Sequence, residues 1–223
     1  MSANSLYAKL RDACMEDWTA YIDHSFVRGI ADGTLPVTSF RHYLIQDYLF
    51  LIQFARAYGL AAYKAQDLND IRDAAECIRV ITEVEMGLHI DFCRGWGISE
   101  DDMRCADEAE DTMAYTRYVL ERGLSGDLLD LHVALAPCMF GYAVIGKKLM
   151  ESADTKLTDN PYRPWIEMYA SDEFQGVMVK GIDNLDRLFE RRAGEGRLPD
   201  LIKTFRQATR LETRFWQMGM DAV

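Results

Sequence analysis

Three side chains able to do chemistry sit where the helical pattern of this chain calls for apolar residues: Asp47, Cys138 and Glu212. Asp47 interrupts the stripe Phe40, Tyr43/Leu44, Phe50/Leu51, Phe54, Tyr58, Ala61. Cys138 lies within Leu128, Leu131, Leu135, Tyr142, Ile145, Leu149, directly after Pro137. Glu212 lies within Leu201, Phe205, Ala208, Phe215, Gly219. Steps of three and four put each set on one helix face. A carboxylate on a buried face needs partners, because unpaired burial raises its pKa or costs on the order of 2–7 kcal/mol.

Each of the three also has a plainer reading. A buried cysteine is more often a small packing residue, and a buried acid can tie two helices together. If the three meet, the cavity holds two acids and one thiol between aromatic walls. A carboxyl in such a pocket has a raised pKa and serves as proton donor or relay. The thiol lies mid-helix, without help from a helix N-terminus, so a partner must take its proton as it attacks. Aromatic walls suit a flat heterocycle, and carboxylates suit its ring nitrogens and amino groups. With no arginine clamp in the pattern, a neutral or cationic aromatic amine fits better than an anion.

The elements that must position these groups are helices. The pattern predicts helices over about 5–30, 38–64 (Thr38 as N-cap), 68–94, 112–122, 128–150, a short one after Asn160-Pro161, 171–192 and 201–220. In the third, Ile71, Ala75, Ile78, Thr82, Glu85, His89 and Phe92 share the expected buried face. Glu85 and His89, four apart, can pair along the helix or share a metal, the structural pair being the commoner case. His24 reads as a hydrogen-bonded packing residue. SEDDMRCADEAED is an acidic connector. No strand-like alternation or linker appears. The expected architecture is all-α: a single domain over 1–223 with seven to eight helices around one core.

The 223 residues are 49% hydrophobic and carry a formal charge of -11, which opposes nucleic-acid and anionic-membrane binding. Five cysteines (14, 77, 93, 105, 138) show no metal-site or disulfide spacing. No signal core and no uninterrupted apolar stretch near 20 residues is evident, so a cytoplasmic location is expected.

Four blocks in order resemble the TenA/thiaminase II family: HSFVRGIADGTLPVTSFRHYLIQDYLFLIQFARAY, EVEMGLHIDF, LAPCMFGYAVIG and ETRFWQMGM. The resemblance spans nearly the whole chain. It implies a heme-oxygenase-like helical fold, a homotetramer, and no metal or organic cofactor. It further implies hydrolysis at the aminomethyl carbon of a 4-amino-2-methylpyrimidine. The substrate would be thiamin or 5-aminomethyl-4-amino-2-methylpyrimidine, giving the hydroxymethyl pyrimidine for thiamin salvage. By this resemblance Cys138 is the nucleophile and Glu212 the proton donor. Asp47 holds a ring nitrogen and the amino group. Phe50, Tyr115, Tyr142, Tyr169 and Phe215 line the pyrimidine pocket. Phe50 stands where many members have tyrosine, so a hydroxyl is missing there. Two alternatives remain on the same fold. One is a di-iron oxidase built on Glu85 and His89; the other is a non-catalytic pyrimidine-binding regulator.

Overall fold

The computed structural model describes residues 4–192 and 194–222, and they form helices without strands. The stripe expected as one helix over 5–30 is three: α1 (Leu6–Asp12), α2 (Met15–Ile22) and α3 (Ser25–Asp32). The breaks fall at Ala13–Cys14 and Asp23–His24, where capping competes with continuation. His24 Nδ1 accepts the Phe26 N–H at 3.2 Å, so His24 is the N-cap of α3.

Next comes α4 (Val37–Lys64), whose N-cap is Pro36 rather than Thr38. Proline fixes the extended backbone that precedes a helix, so the first turn needs no hydroxyl from Thr38. The third predicted helix contains a π-helical stretch, Val80–Glu85, between α5 (Leu68–Arg79) and α6 (Met86–Gly95). A π turn holds more residues per turn and shifts the phase of the face. Before it, Ile71 and Ala75 are exposed while Asp70 and Ala74 are buried; within it, Thr82 is exposed while Ile81 and Glu85 are buried. After it, His89 and Cys93 are buried. A regular 3.6-residue repeat therefore misreads the first half of this face.

The chain continues through α7 (Glu100–Arg104), α8 (Glu110–Ser125), α9 (Leu128–Glu151), α10 (Arg163–Ala170), α11 (Asp172–Arg192) and α12 (Leu198–Asp221). The proline in the first turn of α10 is Pro164, not Pro161. The helices α4, α8, α9 and α12 all pack on one another and form the central bundle. Around them, α10 and α11 lie against α9, α1–α3 against α12, and α5–α6 against α4.

Helix α9 is buried nearly all round, from Leu128 to Leu149. It is long and apolar enough to cross a membrane, but 83% of its most apolar window is buried inside the protein, as in a core helix. Its start is pinned by Asp127, which accepts the Leu129 and Asp130 N–H groups, and by Arg197 from the start of α12, which bridges to Asp127 (2.9 Å) and Asp130 (2.8 Å). Pro137 removes one backbone hydrogen bond, yet the helix runs unbroken through it.

Candidate active site

All eight sequence-predicted site residues are buried, and they fall in one cluster inside the bundle. Helix α9 supplies Cys138 and, one turn on, Tyr142. Helix α12 supplies Glu212 and Phe215, α4 supplies Asp47 and Phe50, α8 supplies Tyr115, and α10 supplies Tyr169. The same i, i+3, i+4 periodicity that builds the core aims these polar groups inward.

Glu212 is the centre. Its Oε1 accepts the Tyr115 hydroxyl at 2.8 Å. The buried Cys138 thiol lies near its side chain. Burial, reinforced by the nearby Asp47 charge against the Tyr115 hydrogen bond, raises its pKa to about 8. The carboxyl is thus mostly protonated at neutral pH. Burial, then the charges of Glu212, Glu85 and Asp47, push the Cys138 thiol well above its ordinary value. The resting site holds a thiol rather than a thiolate.

Asp47 Oδ2 accepts the Tyr43 hydroxyl at 3.1 Å and meets His89 Nε2 at 2.6 Å. Its Oδ1 makes no hydrogen bond among the described residues. Burial works against a charged His89 ring, but the hydrogen bond and charge of Asp47, with Glu85 nearby, outweigh it and raise the His89 pKa. Tyr43 is held in turn by Trp165 Nε1 (3.3 Å) and lies 3.4 Å from the Tyr142 hydroxyl.

The walls are aromatic. Phe50 packs on Tyr115 (5.0 Å between ring centroids) and on Phe215 (5.5 Å); Tyr142 packs on Tyr169 (4.8 Å) and Trp216 (5.2 Å). Two glycines of α9 make the close approaches possible. A Cβ on Gly141 would overlap the Tyr21 ring, and one on Gly146 would overlap the Tyr169 backbone. Gly146 thereby lets α10 approach closely enough to bring in Tyr169.

Glu85 is the main residue that sequence reasoning set aside. It does not pair with His89. Its Oε1 accepts the Tyr169 hydroxyl at 2.6 Å, and it lines a small pocket of about 30 Å³ together with Cys138, Tyr142, Tyr58 and Phe54. Burial, aided by the Asp47 charge, raises its pKa to about 7. Tyr43 and His89 were legible as helix neighbours of Asp47 and Glu85, but their cross-helix partner was not. Among the described residues, no group of three or more His, Cys, Asp and Glu is placed to hold a metal.

A buried thiol, a carboxyl with a raised pKa and a second acid thus sit together among aromatic side chains on an all-α bundle. The chain belongs to the TENA/THI-4/PQQC family, whose model matches residues 11–222. It is 36% identical to the aminopyrimidine aminohydrolase of Halalkalibacterium halodurans, covering 97% of this chain and 96% of that protein. It is 32% identical to the aminopyrimidine aminohydrolase of Bacillus subtilis, covering 94% and 87%. Among solved structures, a protein from Silicibacter sp. TM1040 described as a TenA family transcription regulator superposes with a TM-score of 0.91 at 41% identity over 99% of both chains.

Proposed function

We propose that this protein is an aminopyrimidine aminohydrolase of thiamin salvage, cleaving 5-aminomethyl-4-amino-2-methylpyrimidine and thiamin at the exocyclic methylene carbon. The observation that carries the reading is the Cys138–Glu212–Tyr115 arrangement: a buried thiol near a buried carboxyl that accepts the Tyr115 hydroxyl at 2.8 Å, within an aromatic cage. The similarity to named aminopyrimidine aminohydrolases supports it. The pocket beside Cys138 is narrow, so binding a pyrimidine moves the aromatic walls apart.

In the proposed mechanism, Glu212 gives its proton to a ring nitrogen as the Cys138 sulfur bonds to a ring carbon, and it takes the thiol proton in exchange. No net charge enters the buried site, which avoids the desolvation cost of a free thiolate. Asp47 Oδ1 receives the ring amino group. The electron pair at the ring nitrogen then expels the leaving group from the methylene carbon. Water adds to that carbon and its proton is taken up by a carboxylate; the carbon–sulfur bond then breaks as Glu212 gives its proton to the sulfur and takes back the ring-nitrogen proton, which restores the aromatic ring, the thiol and the protonated carboxyl.

Glu85 supplies the proton that an amine needs in order to leave. A thiazolium leaves as neutral thiazole and needs none. Glu85→Gln is therefore expected to lower kcat for the aminomethyl pyrimidine about tenfold or more and to spare thiamin comparatively. Equal losses on both substrates would remove Glu85 from this role. The reaction itself is tested by incubating purified protein separately with thiamin and the aminomethyl pyrimidine. Thiazole from the first, ammonia from the second and the same hydroxymethyl pyrimidine from both are expected; absence of that pyrimidine from both would reject the function.

We also place the enzyme in the cytoplasm as a homotetramer, on the family resemblance. Light scattering on the eluting peak should give about four times the 25.5 kDa of one chain. A monomer or dimer mass would reject the assembly.

A further inference from the structure

Tyr21 is a buried polar residue that the mechanism above does not use. It lies on α2 and is fully buried. Its ring meets Trp18 edge-on (5.7 Å between centroids) and stacks on Trp216 (6.2 Å). Its hydroxyl has no hydrogen-bond partner among the described residues. Trp216 Nε1 is likewise without one, so these two neighbours do not satisfy each other. A buried donor left unpaired is costly and rare. A phenylalanine would pack here without that cost, so packing alone does not account for the hydroxyl.

Its position does. Tyr21 sits between the turn after Cys138 on α9 and the turn after Glu212 on α12. On α9 the contact is Gly141, three residues past Cys138, where a Cβ would overlap both the ring and the hydroxyl. On α12 it is Trp216, four residues past Glu212. Such offsets keep to one helix face, so the ring lies on the faces that carry the thiol and the carboxyl. The ionisable groups around the hydroxyl are Glu212 from α12, Cys138 from α9, Tyr115 from α8 and Tyr43 from α4. Burial, then the charge of Glu212, pushes the Tyr21 pKa well above its ordinary value, so the phenol keeps its proton. Two of the four neighbours are already spent: Tyr115 donates to Glu212 Oε1 and Tyr43 to Asp47. A thiol is a weak acceptor. Glu212 remains, and the Tyr21 hydroxyl lies near enough to act on it, pulling its raised pKa down.

We propose that Tyr21 is a positioning residue of the hydrolysis: it donates a hydrogen bond to Glu212 as that carboxyl gives up its proton, beside the bond from Tyr115. This rests on the reading of Glu212 as the proton donor. At rest the carboxyl is neutral and a poor acceptor, and the Tyr21 hydroxyl stays unpaired. As Glu212 passes its proton to the ring nitrogen, negative charge builds on its oxygens until the thiol proton arrives. A hydrogen bond to a charged acceptor is about twice as strong as a neutral one, so Tyr21 gains its partner only then. An interaction made only as charge develops lowers the barrier without tightening substrate binding. Tyr21 keeps its own proton throughout and forms no bond to the substrate.

Tyr21→Phe tests this, because it removes the hydroxyl and keeps the ring that packs on Trp18 and Trp216. The variant should melt no lower than wild type, since the lost group is unpaired at rest. On the aminomethyl pyrimidine, kcat should fall about tenfold with KM within about twofold of wild type. Losing a donor to the carboxylate raises the pKa of Glu212, so the alkaline limb of kcat should move up by roughly half a pH unit or more. The infrared band of the protonated Glu212 carboxyl, assigned by its absence from Glu212→Gln, reads the same pKa without substrate. Its midpoint should rise in Tyr21→Phe, which a purely packing tyrosine would not cause. The role is overturned if kcat and the infrared midpoint stay as in wild type, if KM rises with kcat unchanged, or if the variant melts well below wild type, which would make the hydroxyl a structural group of the resting fold. Wild type inactive on the aminomethyl pyrimidine, with the infrared shift intact, would bring down the aminohydrolase reading and leave the Tyr21–Glu212 contact standing.

Discussion

Cys138→Ser is expected to abolish release of ammonia from the aminomethyl pyrimidine, by about 10³-fold or more in kcat, while the protein stays folded. Oxygen replaces sulfur with little change of volume, and the hydroxyl faces the polar Glu212 side chain, so stability should shift by less than about 1 kcal/mol. The loss is chemical. A serine hydroxyl is a far weaker nucleophile toward an aromatic ring carbon and a poorer group to expel afterwards. No neighbour compensates: Glu212 takes a proton only as it gives up its own and cannot form an alkoxide in advance, and His89 is committed to Asp47. Circular dichroism and thermal melting beside the ammonia assay separate this outcome from misfolding. Turnover within twofold of wild type would remove Cys138 from the mechanism.

Glu212→Gln is the second large effect, about 10²–10⁴-fold in kcat. The amide keeps the hydrogen bond from Tyr115 but cannot pass a proton from the thiol to the ring. The pH dependence carries a distinct signature. Glu212 has a pKa of about 8 in the fold, against an ordinary value near 4.5. Activity that needs its proton therefore falls as pH rises through about 8, and that limb should vanish in the variant. Stability follows the same sign. The raised folded pKa contributes stability that is fully present below about pH 4.5 and is lost as pH rises through about 8. Glu212→Gln should therefore gain thermal stability relative to wild type at pH 9 compared with pH 5. Melting curves at the two pH values check this; an unchanged difference between them would mean that Glu212 is already ionised in the fold.

The sequence made the heart of the site legible because acids and a thiol in apolar seams are rare and costly. Asp47, Cys138 and Glu212 each break a stripe that is otherwise apolar or aromatic, and the stripes of α4, α9 and α12 do face one another. Periodicity along a helix does not say which seam faces which, so Trp165 and His89 could not be joined to the Tyr43–Asp47 pair beforehand. Glu85 was misjudged for a more local reason. An i, i+4 spacing to His89 suggested a pair, whereas the two side chains turn to Tyr169 and Asp47 on other helices. The π stretch that sets their direction has no strong sequence signature, and it also accounts for the exposed Ile71, Ala75 and Thr82. Likewise, the breaks within 5–30 are capping events that leave the apolar seam almost intact: Leu6, Leu10, Cys14, Trp18, Phe26 and Ile30 are all buried. Periodicity reads what is buried better than it reads where a helix stops.

The most direct test is a single turnover with wild-type enzyme in excess over 5-aminomethyl-4-amino-2-methylpyrimidine near pH 7, quantifying both products. Ammonia and 4-amino-5-hydroxymethyl-2-methylpyrimidine should appear in equal amounts, with neither formed by Cys138→Ser under the same conditions. Substrate recovered intact from folded wild-type protein, or equal yields from the two proteins, would contradict a cysteine-dependent aminopyrimidine hydrolase.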